Sequence, residues 1–399
     1  MSDRQGVRPA RSTAYLGAAG AFAVCMAGTT LPTPLYGLYQ EQLGFSELIV
    51  TVVFAVYAFG VIGVLLVAGN VSDTVGRRPV LLAGLGFAAL SAVCFLLEGG
   101  LPFLYAGRLM SGFSAGLFTG TATAYVMELA PPGREGRAAF AATAANMGGL
   151  GLGPLVAGVL AQYAPHPLEL PFVVHLVLVA IAAGVLFALP ETVAGARPVS
   201  EARPQLPSLP PEVRRVFVPA GVAAFTGFSL FGVFTSVSPA FLTGSLGVHN
   251  RAVIGLIVFS AFFASTVGQL AAGALGVRRA LPVGCAVLIV GLALLGGSLL
   301  HDELSLLVLS ALVGGTGQGL SLRGAVGAVA GAAPPEARGG SLSSLFVVAY
   351  TGISVPVIGV GVLTGPIGLE DAGVAFIVCM VVLTAFAGLY LVRRPVATA

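Results

Sequence analysis

Charged residues are scarce in this sequence, and lysine is missing from it altogether. Only 9% of the 399 residues are charged, whereas an ordinary soluble domain carries roughly a quarter. The absence of lysine excludes a P-loop and a pyridoxal Schiff base, because each requires a lysine side chain. The composition therefore argues against a soluble domain and against these two classes of enzyme.

Cysteine is also sparse, with four residues in the whole chain. They occur singly on different apolar segments, as Cys25, Cys94, Cys285 and Cys379. This spacing fits neither a metal site nor a disulfide framework, so we expect small buried hydrophobic side chains. The sequence accordingly predicts no metal and no cofactor.

Long apolar runs dominate the chain, which is 57% hydrophobic. About 20 apolar residues cross a bilayer as a helix, because a helix satisfies its own backbone polar groups. Twelve segments reach this length: 14–38, 48–69, 79–97, 102–128, 137–163, 170–190, 216–243, 252–275, 280–299, 304–331, 341–364 and 371–392. The sequence predicts an all-α membrane protein with twelve transmembrane helices.

Arginine is distributed unevenly between the connectors. If the N-terminus is cytoplasmic, sixteen of the nineteen arginines fall on cytoplasmic segments, Arg251 falls outside, and Arg108 and Arg323 lie within helices. Positive charge on the cytoplasmic side is the usual bias of membrane proteins. We predict a multi-pass protein of the cytoplasmic (inner) membrane with both termini in the cytoplasm. The first segment is too long for a signal peptide and is expected to stay uncleaved.

The chain reads as two halves. A Pro- and Arg-rich stretch, residues 191–215, separates residues 1–190 from residues 216–399 and indicates a cytoplasmic linker. APPGREGRA at Ala130 is echoed by APPEARGGS at Ala333, and the same offset of 203 superposes Gly149 on Gly352 and Gly158 on Gly361. We predict two pseudo-symmetric six-helix bundles, with the substrate site between them near the middle of the membrane.

Three charged residues, which would be costly in lipid, lie between two long apolar segments in the short connector GNVSDTVGRRPVL, residues 69–81. Gly69 and Gly76 permit a tight turn there. Because this connector lies at the inner membrane surface, its charges are expected in water or in a crevice and not in lipid. One interpretation makes Arg77 and Arg78 topology anchors and Asp73 a helix cap.

Three further stretches extend this pattern: GRLMSGFSAG on the fourth segment, GGLGLGPLVAG on the fifth and LPET after the sixth. With the connector, they make the whole chain resemble the major facilitator superfamily, and within it the 12-helix drug:proton antiporters. Three positions depart from the family pattern: Ala157 and Phe140 replace glycines, and Thr74 replaces a basic residue. The resemblance implies the major facilitator fold.

The resemblance also implies a gate at the connector. Asp73 and Arg77 would form a charge relay with Glu128, and Asp73 would face the N-terminus of the eleventh helix, residues 339–341, latching the two halves. The matching loop of the second half, GALGVRRALPVG, has no acid, so the latch should be one-sided. The family's kinked antiporter-like helix would correspond to Gly149, Gly153, Pro154 and Gly158.

Arg108 is a charge inside the fourth helix, where it is expensive unless it faces a cavity or a partner. The resemblance implies a role in proton or substrate handling, and the alternative is a side chain that snorkels to the outer interface. Arg323 could also snorkel. His175 is a second candidate for coupling, or else a structural hydrogen bonder. No segment carries a carboxylate in its middle.

An enzyme is not expected. Residues 112–116 spell the hydrolase pattern GFSAG, but that motif needs a strand-to-helix turn, and these residues lie within a continuous apolar helix. Glycines recurring every four residues instead predict a flat face for close helix packing.

An aromatic cavity with few fixed charges would suit lipophilic compounds. We expect its substrate-binding residues to be Tyr57, Asn146, Phe228, Phe231, Gln318 and Tyr350. The sequence favours a monomeric secondary transporter that exports a lipophilic drug or secondary metabolite by alternating access, coupled to protons, with no nucleic-acid partner. The alternatives are a sugar or small-metabolite carrier, a transporter-like sensor, and a membrane-embedded enzyme.

Overall fold

The computed structural model describes residues 13–68, 71–97, 99–195, 197–198, 201 and 207–393. Within these ranges the chain forms sixteen α-helices and no strand. They are α1 Ala14–Thr30, α2 Tyr36–Leu43, α3 Glu47–Ala68, α4 Val71–Val75, α5 Arg77–Leu96, α6 Leu101–Glu128, α7 Glu135–Thr143, α8 Gly149–Tyr163, α9 Leu170–Ala188, α10 Pro211–Ser236, α11 Ser238–Gly244, α12 Arg251–Leu275, α13 Val277–His301, α14 Leu304–Ala332, α15 Arg338–Ile367 and α16 Leu369–Arg393.

The prediction of an all-helical membrane protein is confirmed. In the part of the chain that the structure describes, eleven helical segments are long and apolar enough to cross a bilayer. The remaining predicted segment is α6, which has 28 residues but includes Arg108 and several Gly, Ser and Thr residues. At 1.5 Å per residue α6 is about 42 Å long, so twelve crossings fit the helix lengths.

Two predicted segments are interrupted by prolines. The first is divided into α1 and α2 by a 3₁₀ turn, Thr33–Leu35, which is preceded by Pro32. The seventh changes from α10 to α11 at Val237, just before Pro239. Proline lacks a backbone N–H and clashes with the preceding turn, so each interruption has a local cause in the sequence.

The irregular turn of the fifth segment lies before Pro154, where the sequence placed a kink. Ala144–Gly148 form a π-helical turn between α7 and α8, and Pro154 lies inside α8. A π turn widens the helix by one residue and is frequent at functional sites. It places Asn146 at the centre of the segment's irregular part, where no sequence signal predicted one.

Glycines close one end of the molecule, called here the Asn250 end; the opposite end carries Asp73 and is called the Asp73 end. A Cβ on Gly158 of α8 would collide with the backbone carbonyl of Arg251 at the start of α12. A Cβ on Gly361 of α15 would likewise collide with the Thr51 side chain of α3. Only glycine allows such close approach, so these two seams join the first half of the chain to the second.

The other superposed pair of glycines also occupies equivalent places. Gly149 of α8 lies against Ala23 of α1, and Gly352 of α15 lies against Phe225 of α10. In each half, therefore, the fifth crossing helix packs closely on the first. The repeat detected in the sequence thus has a counterpart in the packing.

Candidate functional site

A central cavity of about 700 Å³ lies between the helices of the two halves. Its lining begins with Thr29 and Arg108 in the interior and reaches Asp73, Arg323 and Gly339 at the Asp73 end. Because the seams at Gly158 and Gly361 close the other end, access is from the Asp73 end. The size is that of a site for a drug-sized molecule.

The structure places five of the six predicted substrate-binding residues on this cavity. They are Tyr57, Asn146, Phe228, Phe231 and Tyr350. Gln318 is the exception, because its side chain is turned towards α12 and its Oε1 accepts a 2.6 Å hydrogen bond from the Ser265 hydroxyl. Gln318 is only 1% exposed and packs against Gly227 of α10, so it belongs to the helix packing.

Aromatic rings from both halves meet in the cavity. The ring centroids of Tyr57 and Tyr350 are 6.2 Å apart, and those of Phe228 and Tyr350 are 5.5 Å apart, both edge to face. Phe231 lies 4.4 Å from Phe262 of α12, a lining residue that the sequence did not single out. Such rings offer a flat apolar ligand several stacking faces.

Arg108 is buried in the cavity wall, with 1% of its surface exposed, so it does not snorkel. Its Nη1 donates a 2.5 Å hydrogen bond to the Thr29 carbonyl, and its Nη2 donates a 3.4 Å bond to the Phe54 carbonyl. The guanidinium also lies 4.8 Å from the centroid of the Tyr57 ring. Within the described part of the chain, backbone dipoles and a π face stabilise this charge, and no carboxylate does.

His175 lies away from the cavity, which argues against its predicted coupling role. It is 4% exposed on α9 and packs directly on Gly28 of α1, where a Cβ would overlap the imidazole ring. The glycine therefore makes room for the histidine. This close fit supports the alternative, a structural role between α1 and α9.

The predicted charge relay is assembled at the Asp73 end. Arg77 binds Asp73 with a 2.5 Å contact and Glu128 with a 2.9 Å contact, and its Nη1 also donates to the Ser72 hydroxyl at 2.8 Å. Glu128 in turn accepts a 2.5 Å hydrogen bond from Thr192. The Arg77 guanidinium thereby links α4, which carries Asp73, to the end of α6, which carries Glu128.

Glu191 is a part of this network, but it was not among the predicted site residues. Its carboxylate accepts hydrogen bonds of 2.9 Å from the backbone N–H groups of both Arg77 and Arg78, the first residues of α5. It also accepts from the N–H groups of Thr192 and Val193. The LPET stretch therefore caps α5 with a negative charge, which a helix N-terminus favours. The Arg78 guanidinium donates to the Phe187 carbonyl at 2.9 Å.

The environment of Glu191 lowers the pKa of its carboxyl below the ordinary 4.5: burial opposes ionisation, but the four backbone N–H bonds outweigh it. Because the folded pKa is depressed, the stabilisation is present above about pH 4.5 and disappears as the pH falls. We expect Glu191→Gln to lower the free energy of unfolding by about 1 kcal/mol at pH 7, since the group is partly exposed.

Thermal unfolding of the purified protein between pH 4 and pH 8 measures this effect. The difference in unfolding temperature between the wild type and Glu191→Gln should become smaller towards pH 4. Glu336 is an exposed carboxylate at the same end, and Glu336→Gln should unfold at the wild-type temperature at every pH. A gap that is constant with pH would contradict a role for the ionised carboxylate.

The predicted latch between the halves is not closed in this conformation. The Asp73 side chain is 57% exposed and paired with Arg77 of its own half, while Gly339 lies on the same open cavity. Gly76, also predicted here, has a φ of 110° and lies against the Glu191 carboxylate, so only glycine fits. Gly69 lies outside the described residues.

The glycines predicted for the fifth segment serve close packing. Gly149 and Gly153 lie against the Ala23 and Ala27 backbone of α1, while Gly158 lies against α12. This helix therefore contacts its own half on one side and the other half at the Asn250 end.

A family model decides the relationship of this chain to known proteins. The model of the Major Facilitator Superfamily matches residues 18–250, more than half of the chain. The chain belongs to the major facilitator superfamily. It is a multi-pass membrane protein of that family, whose members are generally carriers without enzymatic activity.

Curated relatives within the superfamily match parts of the chain. The class D tetracycline resistance protein of Salmonella ordonez is 38% identical over 28% of this chain and 27% of its own length. The multidrug resistance protein MdtL of Escherichia coli O9:H4 (strain HS) is 27% identical over 60% of each chain. The chain thus spans between about a quarter and three fifths of these relatives.

Solved structures of transporters share the fold along nearly the whole chain. A bacterial homologue of the human lysosomal transporter Spinster, inward-facing and unoccupied, has a TM-score of 0.72 at 15% identity, covering 99% of this chain and 100% of its own. A POT family transporter in complex with a thioalcohol-conjugated peptide has a TM-score of 0.75 at 12% identity, covering 95% and 96%. At these identities the similarity concerns the fold alone.

Proposed function

We propose that this transporter exports a lipophilic drug or secondary metabolite by alternating access, in exchange for protons. It would act as a monomer in the cytoplasmic (inner) membrane, with both termini in the cytoplasm. In this proposal residues 1–190 and 216–399 form the two moving bundles, joined by the linker at 191–215. The observation that carries the proposal is the large aromatic cavity between the halves, open at one end.

The cavity suits an apolar substrate better than a sugar. Phe228, Phe231, Phe262 and Tyr350 present ring faces or edges, whereas sugars need several fixed hydrogen-bonding groups in one place. The resistance proteins among the relatives support the same choice of substrate. Carriers of small polar metabolites remain the less favoured class.

Proton coupling would use the charge network at the Asp73 end. Among the described lining residues, Asp73 is the single carboxylate, and no acid lies deeper in the cavity. Protonation of Asp73 would remove its ion pair with Arg77 and leave Glu128 as the acidic partner of that arginine. The contact between α4 and the start of α5 would then weaken. Protonation could then favour one conformation over the other, which is how a proton gradient drives transport.

An assay of proton release tests this function. Inside-out vesicles with an acidic interior are challenged with a panel of lipophilic antibiotics and sugars, and the interior pH is recorded with a fluorescent dye. We expect lipophilic substrates to alkalinise the interior in the wild type, and Asp73→Asn to reduce the rate roughly tenfold, equivalent to 1.4 kcal/mol. Glu336→Gln supplies the matched control, an exposed acid at the same end outside the cavity.

Two results would contradict the proposal. Alkalinisation by sugars but not by lipophilic compounds would exclude the drug class. Substrate uptake that is indifferent to the pH gradient and to Asp73→Asn would exclude proton exchange through this network.

A further inference from the structure

Two arginines of the cavity have no carboxylate partner among the residues that the structure describes. Arg77 is held by Asp73 and Glu128. Arg108 donates to backbone carbonyls, while Arg323 of α14 has an exposed side chain that lines the cavity without an ion pair or hydrogen bond. Since Asp73 is already engaged, the described lining carries uncompensated positive charge.

These two arginines lie at different depths. The offset of 203 pairs Arg323 with Gly120 of α6, which also lines the cavity and has open space beside it. Gly120 is twelve residues from Arg108 along α6, so the two levels differ by about 18 Å. Arg108 therefore marks the closed interior of the cavity, and Arg323 lies near its opening at the Asp73 end.

The aromatic rings lie between these levels. Phe228 is paired by the same offset with Cys25, whose sulfur is 3.0 Å from the Ser114 hydroxyl of α6. Ser114 is six residues from Arg108, about 9 Å along the helix, and about as far from the level of Arg323. A molecule stacked on Phe228 would thus reach Arg323 with a polar substituent.

We infer that the cavity selects lipophilic anions, and that Arg323 is the residue that recognises the anionic group. The inference rests on the proposed export function and narrows its substrate class. An aromatic body would lie against Phe228 and Tyr350, and a carboxylate would accept two hydrogen bonds from the Arg323 guanidinium, a geometry that favours arginine. Lipophilic cations would meet unpaired positive charge instead.

Binding of three matched probes to the protein in lipid nanodiscs tests this selectivity. The probes are 1-pyrenecarboxylate, 1-pyrenecarboxamide and 1-pyrenemethylammonium, which share one ring system and differ in charge. Their fluorescence is titrated against protein-containing nanodiscs, and the signal from empty nanodiscs is subtracted. We expect the carboxylate to bind about tenfold more tightly than the amide, and the ammonium to bind most weakly.

Substitutions at Arg323 assign the preference to that residue. Arg323→Gln should raise the Kd of the carboxylate to that of the amide and leave the amide unchanged, whereas Arg323→Lys should keep part of the preference. Arg279→Gln removes an exposed arginine at the same end but outside the cavity lining, and should bind like the wild type. The unchanged Kd of the amide shows that each variant is folded.

Several outcomes would overturn the inference. They are equal binding of all three probes, tighter binding of the ammonium, absence of binding by all three, and a preference that survives Arg323→Gln. Each leaves the proposed export function open to its own assay, because proton release by neutral or cationic drugs does not depend on anion selectivity. Conversely, a carboxylate preference in a protein without proton-coupled transport would sustain the binding site and reject the export function.

Discussion

Replacing Arg108 by glutamine is expected to reduce transport roughly 100-fold, which corresponds to about 2.7 kcal/mol. The guanidinium joins two helices of the first half, because it donates to the Thr29 carbonyl of α1 and the Phe54 carbonyl of α3. Thr29 lies in the last turn of α1, where the interruption before Pro32 leaves carbonyls without a helical partner. A shorter neutral side chain cannot supply both hydrogen bonds or the charge.

The stability of the same variant separates structure from mechanism. Loss of two charge-assisted hydrogen bonds in a buried place should lower the free energy of unfolding by about 3 kcal/mol. Arg108→Lys should recover much of this stability, since it keeps the charge, but little of the transport, since an ammonium cannot reproduce the planar fork or its stacking near Tyr57. Transport is measured by uptake into proteoliposomes, and stability is measured by thermal unfolding in detergent.

Arg279→Gln serves as the matched control for this prediction, because it removes an exposed arginine away from the cavity. It should change neither transport nor stability. Wild-type uptake by Arg108→Gln would show that the buried guanidinium has no part in transport, and equal recovery of both properties by Arg108→Lys would show that charge alone is required.

The fold could be predicted largely from the sequence, because the long apolar segments that determine it can be recognised there directly. Long apolar runs with few charges leave helices as the way to satisfy the backbone in lipid, so the number of crossings follows from counting. The prolines at 32 and 239 explain the interruptions once seen. The π turn at Ala144–Gly148 had no such marker, since it arises from packing rather than from a local residue.

The cavity was harder to predict because it depends on the rotation of each helix about its axis. Gln318 and Arg323 are five residues apart on α14, and at 100° per residue they point about 140° from one another. Arg323 faces the cavity and Gln318 faces α12. On a helix that is apolar or small on every side, no periodic pattern distinguishes these faces. Phe262 of α12 was missed for the same reason.

The charge network lay between these cases. Asp73, Arg77 and Glu128 were predicted from a resemblance to the family, and the structure brings them together. Glu191 lies in the LPET stretch, which also carried the resemblance, but its role as the cap of α5 required the structure, because Glu191 and Arg77 are 114 positions apart. Contacts of such separation leave no trace in local periodicity.

The seams at the Asn250 end should decide which end of the transporter is open. Gly158 and Gly361 occupy pseudo-symmetric places, and each lets a helix of one half approach the other half so closely that a Cβ would collide. Gly158 lies against the Arg251 carbonyl, and Gly361 lies against the Thr51 side chain. A backbone carbonyl at the start of a helix cannot move aside as a flexible side chain can. Bulk at these positions should therefore force this end apart.

We expect Gly158→Val combined with Gly361→Val to shift the population away from the present conformation and to lower transport at least tenfold, since 1.4 kcal/mol of bias is enough for that factor. Spin labels at the exposed positions 166 and 249, introduced as His166→Cys and His249→Cys, report the separation of the halves at this end. The distance between the labels should increase in the double valine variant. Gly184→Val with Gly359→Val, where a Cβ meets nothing within 4 Å, should keep both the distance and the transport rate of the wild type. An unchanged distance in the Gly158 and Gly361 variant would mean that these seams do not control closure, and that the open end is set by the charge network at Asp73 alone.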